Sequence, residues 1–155
     1  MLSYLTPLVN GGYSAIYKVD EEANNEKGEL VLYGTYAGAN RKNLSNRFVF
    51  GEGLVGQCAL ECQPITITNA PSDYVTILSG TGESLPMSIS VFPIMLEERV
   101  TAVLEVASFS TFTEVQSALI DHCLKIIALY FDNLNKKLVT EALLQKSQQI
   151  GDLIH

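Results

Sequence analysis

Cysteine and histidine are scarce in this sequence, and their scarcity narrows the chemistry that it can support. There are three cysteines and two histidines among 155 residues. An odd number of cysteines is not a disulfide framework, and it favours a reducing compartment. One of the two histidines is the terminal His155, so a Ser-His-Asp arrangement is not credible, and no pair of acidic residues stands out as an acid/base couple. These absences argue against catalysis.

Basic residues and long apolar runs are also few. The ten lysines and arginines are scattered, and the net charge is −7. Because neutralising phosphates requires clustered basic residues, we do not expect nucleic acid as a partner. No apolar run approaches the roughly 20 residues of a membrane helix, so we expect a cytoplasmic protein without direct membrane contact. With 47% hydrophobic and 17% charged residues, the composition predicts one folded domain with its own core.

A glycine triplet has the spacing of a phosphate-binding loop. Gly51, Gly53 and Gly56 form G-x-G-x-x-G, which holds the pyrophosphate in dinucleotide-binding folds. The helix that follows, roughly Leu54 to Glu61, is shorter than the 10 to 12 residues of a parallel crossover. Asp73, at the distance expected for the ribose-binding acid, falls in a loop after the next strand has ended. We therefore predict that this segment binds no nucleotide.

Periodicity along the chain predicts an α+β domain around a central antiparallel sheet. A helix, a hairpin, a short helix, a single strand, a long loop, a second hairpin and a long helix follow one another. Loops as long as the one from Asn69 to Pro86 are usually functional or disordered, so this loop is a candidate cover for a site. The predicted elements are Leu2 to Leu8, Tyr13 to Val19 with Glu29 to Ala37, Leu54 to Glu61, Ile65 to Thr68, Met87 to Leu96 with Val100 to Phe109, and a helix from Thr113, whose spacing to Gln116 matches a capping box.

The last strand has one apolar face and one mixed face. Ala102, Leu104 and Val106 are predicted to lie against the terminal helices. The mixed face carries Glu105, and the same alternation predicts that Ser88, Ser90 and Phe92 of the preceding strand join it. The remaining residues predicted for the mixed face are Thr101, Val103 and Ala107.

The mixed face and the long loop predict a ligand pocket between them. A mostly apolar cleft with a few placed polar groups is typical of small-molecule sites. Alternatively, Glu105 caps a neighbouring loop and the serines pack against backbone. The candidate ligand-binding residues are Tyr74, Ser88, Ser90, Phe92 and Glu105.

The long helix carries an apolar seam at 3-4 spacing, which suits packing or a coiled coil. Its helix-forming residues continue past Glu141, so the helix outruns a small domain and must project, pair or fray. We predict that the inner half of the seam packs on the sheet and that the outer part pairs with a second copy in a parallel homodimer. The seam is Leu124, Ile127, Phe131, Leu134 and Leu138, and its last four members are the predicted dimer and signalling residues.

The segments GEGLVGQCALECQPITITNAPSDY and SISVFPIMLEERVTAVLEVASFSTFT, followed by a helix ending in EALLQKSQ, resemble the GAF domain of bacterial sensor proteins. The sequence resembles in particular the GAF domains that feed sensor (hybrid) histidine kinases. The resemblance extends from about Leu5 to Gln148. It implies a six-stranded sheet with terminal helices on one face and a loop-covered ligand cavity on the other. It also implies dimers in which residues 1–138 form the sensory domain and residues 139–155 begin a coiled-coil connector to an output domain outside this chain.

The ligand classes known for this family do not transfer to the sequence. The N-K-x-F-x-D-E pattern of cyclic-nucleotide-binding members is missing, and NRFVF at Asn46 matches it only superficially. Bilin-binding members place a cysteine beside a histidine in the cavity helix, whereas the DHC at Asp121 to Cys123 has the reverse order and lies on the long helix. We therefore expect no cofactor and an effector whose identity is unknown.

The cysteines on the short helix can be interpreted as a functional site or as structural residues. Cys58 and Cys62 are four residues apart and share a helix face, and with His122 and Cys123 the residue types suit zinc or a redox pair. The simpler interpretation, which we favour, is that cysteine serves as a small buried hydrophobe.

Three functions follow from these observations. The first is a non-catalytic sensory domain that passes effector binding through its C-terminal helix to an output module. The second is a structural dimerisation module whose cavity is filled by its own side chains. The third is a free-standing redox enzyme such as a methionine sulfoxide reductase, which occurs on this fold but needs a cavity cysteine set that Cys58 and Cys62 do not match.

Overall fold

The computed structural model describes residues 2–9, 11–36, 39–40, 46–68, 76–79, 82–84 and 88–154. Within these ranges the chain forms helices and strands in mixed order, as the periodicity predicts. They are α1 (Leu2–Leu8), β1 (Gly11–Val19), β2 (Glu29–Tyr36), β3 (Ala39–Asn40), β4 (Arg47–Val49), α2 (Gly53–Glu61), β5 (Ile65–Thr68), β6 (Thr76–Ser79), β7 (Gly82–Ser84), β8 (Ser88–Leu96), β9 (Arg99–Ser108) and α3 (Glu114–Ile154).

Six of the strands form an antiparallel sheet in the order β4-β2-β1-β9-β8-β5. Helix α1 packs on β1 and β2 and α3 packs on β8 and β9, whereas α2 contacts β4, β8 and β9. Two separate apolar clusters lie on the two sides of the sheet. We call the side covered by α1 and α3 the terminal-helix face and the other side the α2 face. The predicted α+β architecture is confirmed.

Short strands are the elements that periodicity did not predict. The polar stretch before β4 contains β3, and the segment expected to be irregular from Asn69 to Pro86 contains β6 and β7, which pair with each other and with β3. Cα atoms of β6 come within 8 Å of Cα atoms of β1. Strands of two to four residues are too short to show an alternating pattern of apolar and polar residues.

A β-bulge interrupts the hairpin of β8 and β9. The two strands are joined by Glu97 and Glu98, whose φ angles of 51° and 66° are those of a type I′ turn. Next to the turn Met95 pairs with Val100, but Ile94 pairs with Ala102. Thr101 is thus the extra residue, and its Oγ1 donates a hydrogen bond of 3.0 Å to the carbonyl oxygen of Ile94.

The extra residue reverses which side chains of the two strands share a face. A hairpin without the bulge pairs Ser90 with Glu105, which is the grouping that the alternation predicts. With the bulge, Ser90 pairs with Val106 and Phe92 with Leu104. A shift of one residue moves a whole set of side chains to the other side of the sheet. The predicted grouping of Ser88, Ser90 and Phe92 with Glu105 is therefore wrong.

The apolar face of β9 lies where the sequence predicts it. Ala102, Leu104 and Val106 are fully buried in one cluster with residues of α1 and α3. This cluster fixes the long helix to the centre of the sheet.

Helix α3 begins with the predicted capping box. The Thr113 amide donates to Gln116 Oε1 at 3.0 Å, and the Gln116 amide donates to Thr113 Oγ1 at 3.2 Å. Ile127 and Phe131 are buried against the sheet, so the inner half of the seam packs as predicted and these two side chains are not available to a partner. Leu134 is half-buried in the same cluster.

The rest of α3 leaves the domain. Every residue from Lys136 to Ile150 is exposed, and the side chain of Leu138 is 53% exposed. The helix is 41 residues long, which corresponds to about 60 Å. Along the part of the chain that the structure describes, no helix meets the length and apolarity needed to cross a membrane.

The glycine triplet has a structural explanation at each position. Gly51 and Gly53 have positive φ angles of 92° and 64°, which favour glycine. The Gly51 amide donates to the Gly56 carbonyl at 2.8 Å, and the Glu52 amide donates to the Val49 carbonyl at 2.9 Å. These two amides are used within the turn and are not available to a phosphate, and the absence of a bound nucleotide stays a prediction.

Gly56 allows α2 to approach the backbone of β4, and its substitution tests this role. A Cβ atom at Gly56 would lie 2.3 Å from the carbonyl oxygen of Val49. We expect Gly56→Ala to lower the free energy of unfolding by about 1 to 3 kcal/mol, since the helix must move away from the strand. Gly151→Ala is the matched control, because a Cβ there meets nothing within 4 Å. Equal melting temperatures for the two variants would contradict the close approach.

Candidate functional site

Glu105 is a buried acidic residue at the centre of the α2 face. Its side chain is 1% exposed, and its cross-strand neighbours are Ala15 on β1 and Val91 on β8. Both neighbours belong to the apolar cluster beneath α2. The sequence analysis placed Glu105 on the face opposite the terminal helices, and the structure agrees.

Tyr13 brings a second polar atom to this face. It is 5% exposed and pairs with Ala107, two residues from Glu105 along β9. The Tyr13 hydroxyl oxygen and Glu105 Oε1 are both fully buried. Sequence analysis missed Tyr13, although Tyr13, Ala15 and Tyr17 alternate along β1 and all three belong to the cluster beneath α2. Assigning that alternation to a face requires the pairing of β1 with β9.

The two predicted ligand-binding serines do not join Glu105. The Ser88 and Ser108 hydroxyls are 2.8 Å apart, and Ser108 Oγ donates to the Ser110 carbonyl at 2.9 Å. The Ser90 hydroxyl is 2.9 Å from Thr66 Oγ1 of the neighbouring strand. These serines hydrogen-bond within the sheet, chiefly to other side-chain hydroxyls, whereas the alternative interpretation expected them to pack against backbone.

Phe92 and Tyr74 complete the predicted set. The Phe92 ring packs against Phe112 at 6.2 Å on the terminal-helix face. Tyr74 lies outside the described residues. Of the four candidates that the structure describes, Glu105 lies on the α2 face, together with Tyr13.

The cysteines are divided between the two sides of the sheet. Cys58 is buried beneath α2 and Cys62 packs on the same cluster, so they share a helix face as predicted, whereas Cys123 packs with the terminal helices. Burial, with smaller contributions from Cys62 and Glu61, raises the pKa of Cys58 to about 12. Burial also raises the pKa of Cys123.

The protonation state of these thiols bears on zinc and redox chemistry. A thiol whose pKa is raised this far stays protonated at neutral pH, and the thiolate is the form that attacks disulfides or binds metals. His122 is exposed on α3, as expected for a helix-surface residue. Over the described ranges, no three His, Cys, Asp or Glu side chains come close enough to hold a metal ion.

An antiparallel sheet with helices at both sides and a long C-terminal helix define an α+β domain. The chain belongs to the GAF domain family, whose model matches residues 1–132. GAF domains are generally regulatory and bind ligands. No curated protein matches the sequence.

Solved structures with this fold include signalling domains and enzymes. The GAF domain of a phosphoenolpyruvate-protein phosphotransferase from Coxiella burnetii has a TM-score of 0.61 and 21% identity, covering 87% of this chain and 84% of that one. The A. Aeolicus nlh2 GAF domain in an inactive state has a TM-score of 0.60 and 20% identity, covering 84% and 80%.

A reductase has a fold about as similar to that of this chain as the two GAF domains have. Type II free methionine-R-sulfoxide reductase from Thermoplasma acidophilum has a TM-score of 0.58 and 14% identity, covering 81% of this chain and 83% of that one. At these identities the likeness shows the shared fold and leaves the choice between a regulatory and an enzymatic role to the site itself.

The reactivity of Cys58 tests the protonated state of this thiol. With a pKa of about 12, the thiolate fraction at pH 8 is roughly a thousandfold below that of a free cysteine. We expect iodoacetamide to alkylate Cys58 at least that much more slowly in the native protein than in guanidinium chloride, as measured by mass spectrometry of the labelled peptide. Equal rates in the two states would show that Cys58 is a reactive thiol and would revive the redox interpretation.

Proposed function

We propose that the chain is a non-catalytic sensory domain that binds a small effector between the α2 face and the predicted loop from Asn69 to Pro86. The observation that carries the proposal is the burial of Glu105 and Tyr13 on the same face of the sheet, among apolar side chains. Ligand sites combine mostly apolar walls with a small number of placed polar groups. Glu105 and Tyr13 supply a carboxyl group and a hydroxyl group that can orient an effector by hydrogen bonds.

The stability of the fold alone does not explain the carboxyl group of Glu105. A buried charged group that is fully satisfied contributes no more than a well-packed apolar side chain of similar size, and replacing such groups is often neutral or stabilising. A module that served only for dimerisation would gain by placing a leucine beside Ala15 and Val91. Recognition of a ligand explains the retained polarity.

The cysteines support a binding role over a catalytic one. Reductases occur among the structures with this fold, so the fold is compatible with both roles. A redox enzyme requires an accessible thiolate, whereas Cys58 is fully buried with a raised pKa. Cys62 lies at the C-cap of α2, and its thiol donates to the Ala59 carbonyl at 3.5 Å.

Strand β9 offers a short route from the effector to α3. Glu105 lies on the α2 face, while its neighbours Leu104 and Val106 belong to the cluster that contains Ile127 and Phe131 of α3. A ligand that displaces β9 therefore alters the packing of the long helix directly. Switching of this kind requires a helix pair with two packings that the ligand can bias.

The exposed part of α3 supplies that pair if two copies associate, and we include a homodimer in the proposal. At 3.6 residues per turn, Val139, Leu143 and Ile150 fall within about 40° of one another on the helix surface. All three are exposed. Leu138, the outermost residue of the predicted seam, lies about 100° from the nearest of them, so the pairing stripe that we propose is shifted from that seam.

The proposed setting is a cytoplasmic signalling protein of bacterial type. Residues 1–138 form the sensory domain and residues 139–155 begin the connector to an output module such as a histidine kinase. The alternative is a structural dimerisation module whose cavity is filled by its own side chains. The two functions differ in whether a ligand stabilises the folded domain.

A thermal-shift screen with metabolites tests the effector site. A ligand at a hundred times its Kd stabilises the folded state by about 2.7 kcal/mol. We expect a hit whose shift is largely lost in Glu105→Gln and kept in Ser90→Ala, because Ser90 lies on the opposite face. Each shift is measured from the variant's own ligand-free melting temperature. If no metabolite shifts the wild type and native mass spectrometry of protein from cells shows only the bare chain, the dimerisation module is the better description.

Sedimentation equilibrium tests the dimer. Burying Leu143 against its symmetry mate contributes roughly 1.5 to 3 kcal/mol, so we expect Leu143→Asp to weaken the dimer at least tenfold. Leu144→Asp is the matched control, since Leu144 is equally exposed but lies about 100° from the stripe. A wild type that is monomeric at several hundred micromolar, or equal effects of the two substitutions, would contradict the proposed pairing.

A further inference from the structure

A groove of about 660 Å³ opens on the terminal-helix face, on the side of the sheet opposite Glu105. Its floor is β2 beside Ile16, one wall is the first turn of α1, and the other wall is α3 from Ile126 to Phe131. None of the side chains that line it carries a charge. The lining is Leu2, Ser3, Ile16, Tyr33, Gly34, Thr35, Tyr36, Ile126, Ile127, Tyr130 and Phe131.

A second bulge brings a tyrosine pair to this groove. Ile16 pairs with Gly34 and Tyr17 pairs with Leu32, so Tyr33 is the extra residue of β2. Its ring lies edge-on to Phe131 at 5.0 Å, and its hydroxyl is 3.2 Å from the hydroxyl of Tyr130. Bulges commonly redirect a side chain in this way.

The tyrosine pair has one donor to spare. Two hydroxyls carry two protons, and the contact between them uses one. The hydrogen bond to Tyr130, with burial, raises the pKa of Tyr33 above 10.0, so its hydroxyl is protonated at neutral pH. The pair therefore presents an O–H donor at the rim of an aromatic wall.

Gly34 is the feature of the groove that packing does not explain. Its φ is not in the positive range, and a Cβ atom there would meet nothing within 4 Å. Neither backbone conformation nor a close neighbour requires glycine in the middle of β2. Glycine weakens a strand, and inside a strand it often marks a bulge or the close approach of a ligand. Gly34 directly follows the bulged Tyr33 and also leaves open space in the groove.

We propose that this groove is a second small-molecule site, whose ligand is neutral, planar, largely apolar and carries one hydrogen-bond acceptor. The volume is within the range of 300 to 1,000 Å³ typical of ligand pockets. The uncharged lining selects against ions, since a charge would lose its hydration without a partner. The exposed rings of Tyr33 and Tyr130 offer stacking surfaces, the spare O–H meets the acceptor, and the space above Gly34 admits the edge of a ring.

A ligand here would act on the same helix as the proposed effector but from the other side of the sheet. It would contact β2 and α3 together, within one turn of Asn135, where Lys18 Nζ donates to Asn135 Oδ1 at 3.2 Å. The exposed part of α3 begins at the next residue. The site does not depend on whether an effector binds near Glu105.

Nile red, a neutral planar dye with a ring carbonyl, is a suitable probe of the groove. We expect saturable 1:1 binding to the wild type by fluorescence titration, and at least a tenfold increase in Kd for Gly34→Leu, whose side chain occupies the empty space. The Gly34→Leu variant should keep the fold, since replacing a glycine inside a strand by another residue favours the strand. Thr68→Leu is the control, because it places the same side chain at an exposed position of β5, away from the groove. Unchanged binding by Gly34→Leu, or equal losses in both variants, would overturn the proposal.

The donor is tested by the double variant Tyr33→Phe with Tyr130→Phe. Removing both partners keeps the apolar walls and leaves no unsatisfied group, so stability should change little. We expect the Kd for Nile red to rise about five- to tenfold, as loss of one hydrogen bond predicts. If the double variant binds Nile red as tightly as the wild type, the dye only adsorbs to an apolar surface, and the proposed hydrogen-bond donor is wrong. If wild type binds no dye and sedimentation shows a dimer that Gly34→Leu dissociates, the groove is instead a contact between two copies.

Discussion

The bulge at Thr101 determines which side chains occupy each face of the sheet. Val100 and Val103 both lie in the cluster beneath α2 although they are three residues apart, because the extra residue between them reverses the alternation. Without it, Ser90 would lie opposite Glu105 beneath α2. The hydrophobic residues of β8 would then be divided differently between the two clusters. One residue thus separates the serine hydrogen bonds from the buried carboxyl group.

The same strand that carries Glu105 also anchors α3, and this arrangement connects both proposed sites to one output. Leu104 and Val106 contact the inner seam of the helix, and Tyr33 contacts it from β2. Strand β1 lies between, and Lys18 connects it to Asn135 and to the Phe131 ring, 5.8 Å from Nζ. A ligand on either side of the sheet would therefore alter the packing of the helix segment that precedes the exposed part.

Sequence reasoning succeeded where neighbouring residues decide the outcome and failed where distant ones do. The capping box of α3 and both hairpins were predicted, because each depends on contacts within a few residues. Strand β3 was missed since two residues carry no periodicity. The site prediction retained Glu105 but grouped it with Ser88, Ser90 and Phe92, and it missed Tyr13, whose face depends on the pairing of β1 with β9.

The amino-acid pattern alone determined the element types, the apolar face of β9, the inner seam of α3 and the resemblance to the GAF family. Only the tertiary structure decided the pairing register, and with it the partners of Glu105 and the groove beside Gly34. The physical reason is that an extra residue in a strand leaves the local alternation unchanged while reversing every side chain beyond it. Whether the extra residue stabilises the fold depends on how α2 and α3 pack on opposite faces of the sheet. Residues close by in the sequence carry no information about that packing.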